Sequence, residues 1–214
     1  MSTNKIIKID LFKPDSNTID LAVSTLKNGG TIVLPTDTFY ALGADAINLK
    51  SYEKIFNLKK RDKNKAVILL ADDLDMIKYY VSDFNDLAME LCKSFLPGKL
   101  TLVFNPSLNT PRHLLSKENK IAFRIPDFNI CRNIICKLGK PITGTSANLS
   151  GMKPAKSVKE VKEYFCKGID LIIDGGICES EKESTIIDVT QYPPEILRLG
   201  AISKESLAII LKQN

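Results

Sequence analysis

Three consecutive stretches decide the fold: Lys120-Ile-Ala-Phe-Arg-Ile-Pro126, Ile130-Cys-Arg-Asn-Ile-Ile-Cys-Lys-Leu138 and Pro141-Ile-Thr-Gly-Thr-Ser-Ala-Asn-Leu-Ser-Gly151. The first is a short apolar and β-branched run that Pro126 ends, which predicts a strand. The second carries apolar residues at helical spacing, with Gly139 as its stop. The third ends an apolar lead-in at Gly144 and continues in short hydroxyl and amide side chains. Such side chains compete for nearby backbone groups and favour turns. A turn of this kind gathers N–H and O–H donors on one concave surface, which suits an anion. An ordinary loop between two elements fits the same residues, because no strict phosphate-loop spacing is present.

The same alternation extends in both directions. Strands are expected at Lys5–Ile9, Thr31–Leu34, Ala66–Leu70, Leu100–Phe104, Asp170–Asp174, Ser184–Val189 and Ile196–Leu199. Helices are expected at Asp20–Lys27, Ser51–Leu58, Asp72–Tyr80, Asp83–Phe95, Ser157–Phe165 and Ser203–Leu211. Asp83 is the predicted cap of its helix, and Ser157 with Glu160 reads as a capping box. Asn105–Lys117 lacks a pattern and is expected to be a mobile loop. Interleaved strands and helices imply an α/β fold: one twisted sheet with helices packed on it. Several connections are too short for crossover helices, so the sheet is expected to mix parallel and antiparallel strands. No repeat or linker divides the chain, and residues 1–214 read as a single domain.

Composition narrows the function classes. Net charge is +5, from 30 Lys+Arg against 25 Asp+Glu. That is compatible with an anionic ligand such as a nucleotide or RNA. The five cysteines are scattered without a C-x-x-C pair, which argues against a zinc site or a disulfide framework. His113 is the single histidine, so a His-based triad or metal cluster is discounted. No apolar run approaches membrane-spanning length and no signal-peptide core follows Met1, so a soluble cytoplasmic protein without membrane contact is expected.

The candidate site residues follow from their settings. Lys59, Arg61, Lys63 and Lys65 fall in one short basic segment, which is either a polyphosphate clamp or a solvated charged loop. Arg124 interrupts an apolar strand. It either meets an anion such as a carboxylate, pairs within the protein, or reaches the rim. Ser184 enters a strand after a polar loop, and Arg198 ends a short apolar run before Gly200; a strand cap and a surface pair are the simpler roles. Thr36 and Thr38 flank Asp37 after a strand, where a hydroxyl either holds a ligand or ties the turn. No acid/base pair stands out, which phosphoryl or nucleotidyl transfer tolerates because such chemistry depends on positioning and charge.

Taken together the motifs resemble the YrdC/TsaC family. The resemblance rests on Pro35-Thr-Asp-Thr-Phe-Tyr-Ala-Leu-Gly-Ala-Asp-Ala46, Lys59-x-Arg61, Pro97-Gly-Lys-Leu-Thr-Leu102 and Ala122-Phe-Arg-Ile-Pro126. It continues through Ser146-Ala-Asn-Leu-Ser-Gly151, Asp174-Gly-Gly176, Glu183-Ser-Thr-Ile186 and Ile196-Leu-Arg-x-Gly200. It implies a YrdC-like fold and an L-threonylcarbamoyladenylate synthase. Such an enzyme takes L-threonine, bicarbonate or CO2, and ATP to threonylcarbamoyl-AMP and pyrophosphate. The product supplies the t6A modification at tRNA position 37, and other proteins carry out the transfer. By resemblance Lys59, Arg61, Ser146, Asn148 and Arg198 belong to the ATP site, with Lys59 and Arg61 offsetting charge in the reaction. Thr36, Arg124 and Ser184 belong to the threonine or carbamate site. Mg²⁺ is expected with the triphosphate, without an assigned protein ligand.

Ala41 stands where the family usually has Gly, and Asp62, Thr145 and Leu199 stand where it usually has Pro, so loop geometry is where differences are expected. The chain reads as the short form of the family. An RNA-binding or ribosome-maturation protein using the same basic concavity is the alternative. The related domain of hydrogenase-maturation carbamoyl transferases fits less well.

Overall fold

In the computed structural model, residues 4–10, 15–62 and 67–211 are described. Lys63, Lys65 and the expected strand start at Ala66 lie outside them. The strands fall into two sheets among the described residues, not the single sheet expected, while the mixture of parallel and antiparallel pairing holds. The first sheet runs β1 (Lys5–Lys8), β9 (Leu171–Asp174), β2 (Thr31–Leu34), β3 (Ala41–Ala44), β8 (Thr145–Ser146). The second runs β11 (Glu195–Arg198), β10 (Thr185–Asp188), β5 (Leu100–Phe104), β6 (Ile121–Arg124), β4 (Leu69–Leu70), β7 (Ile142–Thr143).

Gly144 is the physical reason for the division. Ile142 and Thr143 pair with β4 in the second sheet, whereas Thr145 and Ser146 pair with β3 in the first. One continuous stretch therefore changes sheets at Gly144, whose N–H donates to Ile68 O at 2.7 Å. A Cβ there would come within 2.4 Å of a Leu70 side-chain carbon. Only a residue without a side chain lets the strand lie this close. A bridge between Asp45 and Ile142 ties the sheets beside this seam.

The period-two rule divides the first sheet's core. Ile32 and Leu34 of β2, with Leu171 and Ile173 of β9, meet α1 (Ser16–Lys27) and α5 (Asn129–Leu138). Val33 and Ile172 face the other way, toward α2 (Leu49–Lys59) and α6 (Val158–Tyr164). The second sheet buries Leu100, Leu102, Phe104, Ile121 and Phe123 under α3 (Leu74–Tyr80), α4 (Asp86–Phe95) and α7 (Lys204–Leu211). Each such side chain contributes about 1.5–3 kcal/mol.

Three local expectations change. Asn85, not Asp83, caps α4: its side chain accepts from Ala88 N at 2.8 Å, two residues beyond the predicted cap. The Asn105–Lys117 segment is stitched down. Ser107 N and Thr110 Oγ1 donate to Tyr80 O, Arg112–Leu114 forms a 3-10 turn, and His113 Nε2 lies 2.9 Å from Ala46 O. Ser157 caps α6 as expected, but Glu160 bonds the backbone N–H of Lys156 instead of closing the box on Ser157.

Candidate active site

The seam opens onto a cleft with two compartments. The inner one, about 200 Å³, is lined by Thr36, Thr38, Phe39, Ala41, Arg124, Ser184 and Arg198 among others. The outer one, about 280 Å³, is lined by Lys59, Asp62, Asn148, Ser150, Gly151 and Pro154 among others. Arg61, Ser146 and Glu183 border both. Lys59 and Arg61 of the basic segment and the Ser146–Asn148 turn, 87 residues apart in sequence between Lys59 and Ser146, thus meet at one concavity. The eight residues that the resemblance assigns to the ATP and threonine or carbamate sites all line one compartment or the other.

Lys59 is the last residue of α2 and only 2% exposed. Its ammonium donates to Ser146 O, to Asn148 O at 2.7 Å and to Asn148 Oδ1 at 3.0 Å. Those three bonds use all three of its donors. Lys59 therefore shapes the turn in addition to lining the cleft. Burial first, and Arg61 second, push its pKa down to about 7, against the pull of Glu183. Ser146 Oγ donates to Asn148 Oδ1 at 2.6 Å, and Ser150 N donates back to Lys59 O at 3.0 Å, which stitches the turn to the helix end. Lys60 then takes a left-handed conformation, φ 50°, at the end of the helix. Burial lowers the Arg61 pKa, with Tyr52 and Asp62 opposing the shift.

On the inner side, Arg124 is 6% exposed. Its Nε donates to Gly98 O at 2.9 Å, Nη1 to Thr38 Oγ1 at 2.8 Å and Nη2 to Asp37 Oδ1 at 2.6 Å. The internal pair and the pocket setting, alternatives on sequence, are therefore both present. A guanidinium has five N–H donors, so two remain beyond these three bonds. Thr36 Oγ1 donates to Phe39 O and accepts from Thr38 N, so its hydroxyl ties the turn. Arg198 donates to Ser184 O, Ser184 Oγ and Glu183 Oε2. Burial lowers its pKa and Glu183 works against that.

Several contributors were not singled out by sequence reasoning. Asp37 holds Arg124 together with Thr38, whose hydroxyl the sequence did single out, and Glu183 holds Arg198 while bordering both compartments. Thr101 is fully buried in β5, with its Oγ1 2.8 Å from Ser184 Oγ. Its signal was available: a hydroxyl inside an apolar strand, as with Arg124. Tyr40 accounts for the Asp174-Gly-Gly motif, since its hydroxyl donates to Gly176 O and accepts from Gly175 N. Among the described residues no group of three or more His, Cys, Asp or Glu could hold a metal ion, and no helix is long and apolar enough to cross a membrane.

Residues 24–200 match the family model Sua5/YciO/YrdC, described as "Telomere recombination". The chain is 33% identical over 193 residues to the threonylcarbamoyl-AMP synthase of Pyrococcus abyssi, covering 90% of this chain and 57% of that one. It resembles the crystal structure of P. abyssi Sua5 complexed with L-threonine, with a TM-score of 0.91 and 32% identity, over 96% of this chain and 60% of that one. The chain thus spans less than two thirds of these P. abyssi relatives. The threonylcarbamoyl-AMP synthase of Marinobacter nauticus is 31% identical over 84% of this chain and 95% of its own. The crystal structure of Escherichia coli YciO matches with a TM-score of 0.85 and 31% identity, over 96% of this chain and 99% of that one.

Proposed function

The chain belongs to the Sua5/YciO/YrdC family, and from that membership and the cleft we propose that it is a cytoplasmic L-threonylcarbamoyladenylate synthase. In this reading residues 1–214 act as one YrdC-like unit. L-Threonine and its carbamate occupy the inner compartment, and ATP occupies the outer one. One observation carries the proposal: Arg61, Ser146 and Glu183 border both compartments, so a carbamate held on one side can face a triphosphate held on the other.

The amine of threonine and bicarbonate give a carbamate and water. A carbamate oxygen then attacks the α-phosphorus, forming the new O–P bond as the bond to pyrophosphate breaks. Arg124 receives the threonine carboxylate on its two remaining N–H groups, with Asp37 and Gly98 fixing the plane of its fork. Arg61 and the Ser146–Asn148 turn line the outer compartment along the phosphates and offset charge on the departing pyrophosphate, while Arg198 faces the reacting α-phosphate from the inner side. Lys59 contributes by holding that turn. The inner compartment's burial limits water, which protects a labile carbamate. Mg²⁺ bound to the triphosphate would supply charge neutralisation. Asp62 and Glu183 are the carboxylates lining the outer compartment that would face it, which suits an ion carried mainly by phosphates.

The product serves proteins that place threonylcarbamoyl on tRNA. Direct RNA binding through the cleft is the weaker reading, because Arg124 is too deeply buried to meet a polyanionic backbone. The test is incubation with L-threonine, bicarbonate, ATP and Mg²⁺, followed by mass spectrometry. A bicarbonate-dependent threonylcarbamoyl-AMP is expected. Tight RNA binding with no such product would reject the synthase.

A further inference from the structure

Thr101 sits in mid-β5 with its neighbours Leu100 and Leu102 buried in the core. Its hydroxyl faces the opposite way, 2.8 Å from Ser184 Oγ. Ser184 Oγ also accepts Arg198 Nη2–H at 3.1 Å. A hydroxyl has two acceptor lone pairs and one proton. Either hydroxyl of this pair could be the donor; with Arg198 on one lone pair and Thr101 donating into the other, the arrangement the inference adopts, the only capacity Ser184 has left is its own O–H. Ser184 lines the inner compartment, so that O–H is available to a ligand there.

We infer that Thr101 is a positioning residue that commits Ser184 to act as a hydrogen-bond donor, so that the inner compartment reads an oxygen acceptor at this point, a carboxylate or carbamate oxygen, and disfavours an ammonium. This rests on the proposed synthase reading and extends it to a residue and a polarity. Gly98, three residues earlier, receives Arg124 Nε on its carbonyl. The segment Gly98–Thr101 therefore braces both anion-directed side chains of the compartment. That gives the Pro97-Gly-Lys-Leu-Thr-Leu102 motif a physical task. The register supports it: Thr101 lies opposite Ile186 across the parallel β5–β10 pair, and Lys99 O accepts Thr185 N at 2.9 Å, which holds the start of β10 beside β5.

The test is a double-mutant cycle on the full chain, read by steady-state synthesis of the adenylate. Thr101→Val keeps the shape and removes the hydroxyl, and Thr101→Ser keeps the hydroxyl. Losing one neutral hydrogen bond predicts a roughly 3- to 10-fold rise in KM for L-threonine in Thr101→Val. KM for ATP should stay within about twofold and Thr101→Ser near wild type. In a Ser184→Ala background, Thr101→Val should add little, because its effect passes through Ser184. Thermal melting of each variant identifies loss of fold. The proposal is overturned if Thr101→Val matches wild type, if Thr101→Ser is equally impaired, or if the two losses multiply independently. A wild-type protein that makes no bicarbonate-dependent adenylate removes the synthase reading and this proposal with it, and that result is distinct because the variants play no part in it.

Discussion

Lys59→Met keeps the length of the side chain and removes every donor, so it isolates what the ammonium does. Ser146 O, Asn148 O and Asn148 Oδ1 lose their lysine partner. A buried acceptor left dry costs about 1–3 kcal/mol, offset in part because a charge no longer has to be buried. A net loss of roughly 2 kcal/mol at pH 7 is expected in urea unfolding. The pH dependence separates the two effects. Burial holds the folded pKa at about 7 against an ordinary 10.5. Between those values the unfolded chain binds the proton and the folded one does not, so stability rises with pH. The full difference is worth about 5 kcal/mol at 1.4 kcal/mol per pH unit. Buried thiols oppose this above their ordinary value of 9, because burial raises Cys92 and Cys131 to about 12. The measurement therefore belongs between pH 7 and pH 9, where wild type should gain roughly 2 kcal/mol over Lys59→Met. A constant difference would refute the reasoning: the three acceptors would then outweigh burial, and Lys59 would stay charged throughout. The resemblance assigns Lys59 to the ATP site; its buried bonds predict that folding suffers as well as ATP use.

Lys60→Gly should stabilise the fold by about 0.5–1 kcal/mol, since φ 50° is strained for lysine and easy for glycine; a melting temperature higher by about 2–3 °C with unchanged activity checks it. Asp37→Ala should cost about 3–5 kcal/mol in urea unfolding, because it leaves the Arg124 guanidinium buried without its carboxylate. Gly200→Ala places a Cβ 2.2 Å from Glu183 O and 2.6 Å from the Ser184 carbonyl carbon. Backbone must then move, so adenylate synthesis should fall at least about tenfold, with about 1–3 kcal/mol lost from stability; a variant of wild-type activity would show that the Glu183–Ser184 backbone is free to shift.

Compact β-branched and aliphatic runs made the strands at Thr31–Leu34 and Leu171–Asp174 legible, and in the structure their alternate residues meet different helical layers. Gly139 as the stop of α5 was legible for the same kind of local reason: its φ is +70°. The division into two sheets was not, because it depends on Gly144 lying against Leu70, a contact between residues far apart in the chain. Among site residues, a charge inside an apolar strand pointed to Arg124, and Ser184 was noted where a polar loop enters a strand. Their partners Asp37 and Gly98 were hidden, because the bonds to Arg124 join residues far apart in the chain; Thr101 showed as a hydroxyl inside an apolar strand, but nothing local tells whether such a hydroxyl ties the strand or supports another side chain. Lys59 looked like a phosphate contact because its charge was visible and its acceptors, on a turn 87 residues later, were not.

Three cations of the cleft already rest on the protein's own acceptors: Lys59 on the Ser146–Asn148 turn, Arg124 on Asp37 and Arg198 on Glu183. Without those acceptors, positive groups this close would repel one another and destabilise the empty cleft. With them, the donors are held in place before substrate arrives, which is the condition under which electrostatic stabilisation costs least during reaction. Binding then becomes exchange. A phosphate or carboxylate must take over contacts that are already made, so affinity comes from the difference and not from the full strength of each new bond. The Arg198–Glu183 pair is the most exposed of these, with side chains 32% and 41% accessible, whereas the Arg124–Asp37 pair stands at 7% and 12%. Solvent screens the outer pair and makes it the easier one to exchange. The inner pair is better suited to stay closed and orient its ligand through the guanidinium's remaining donors.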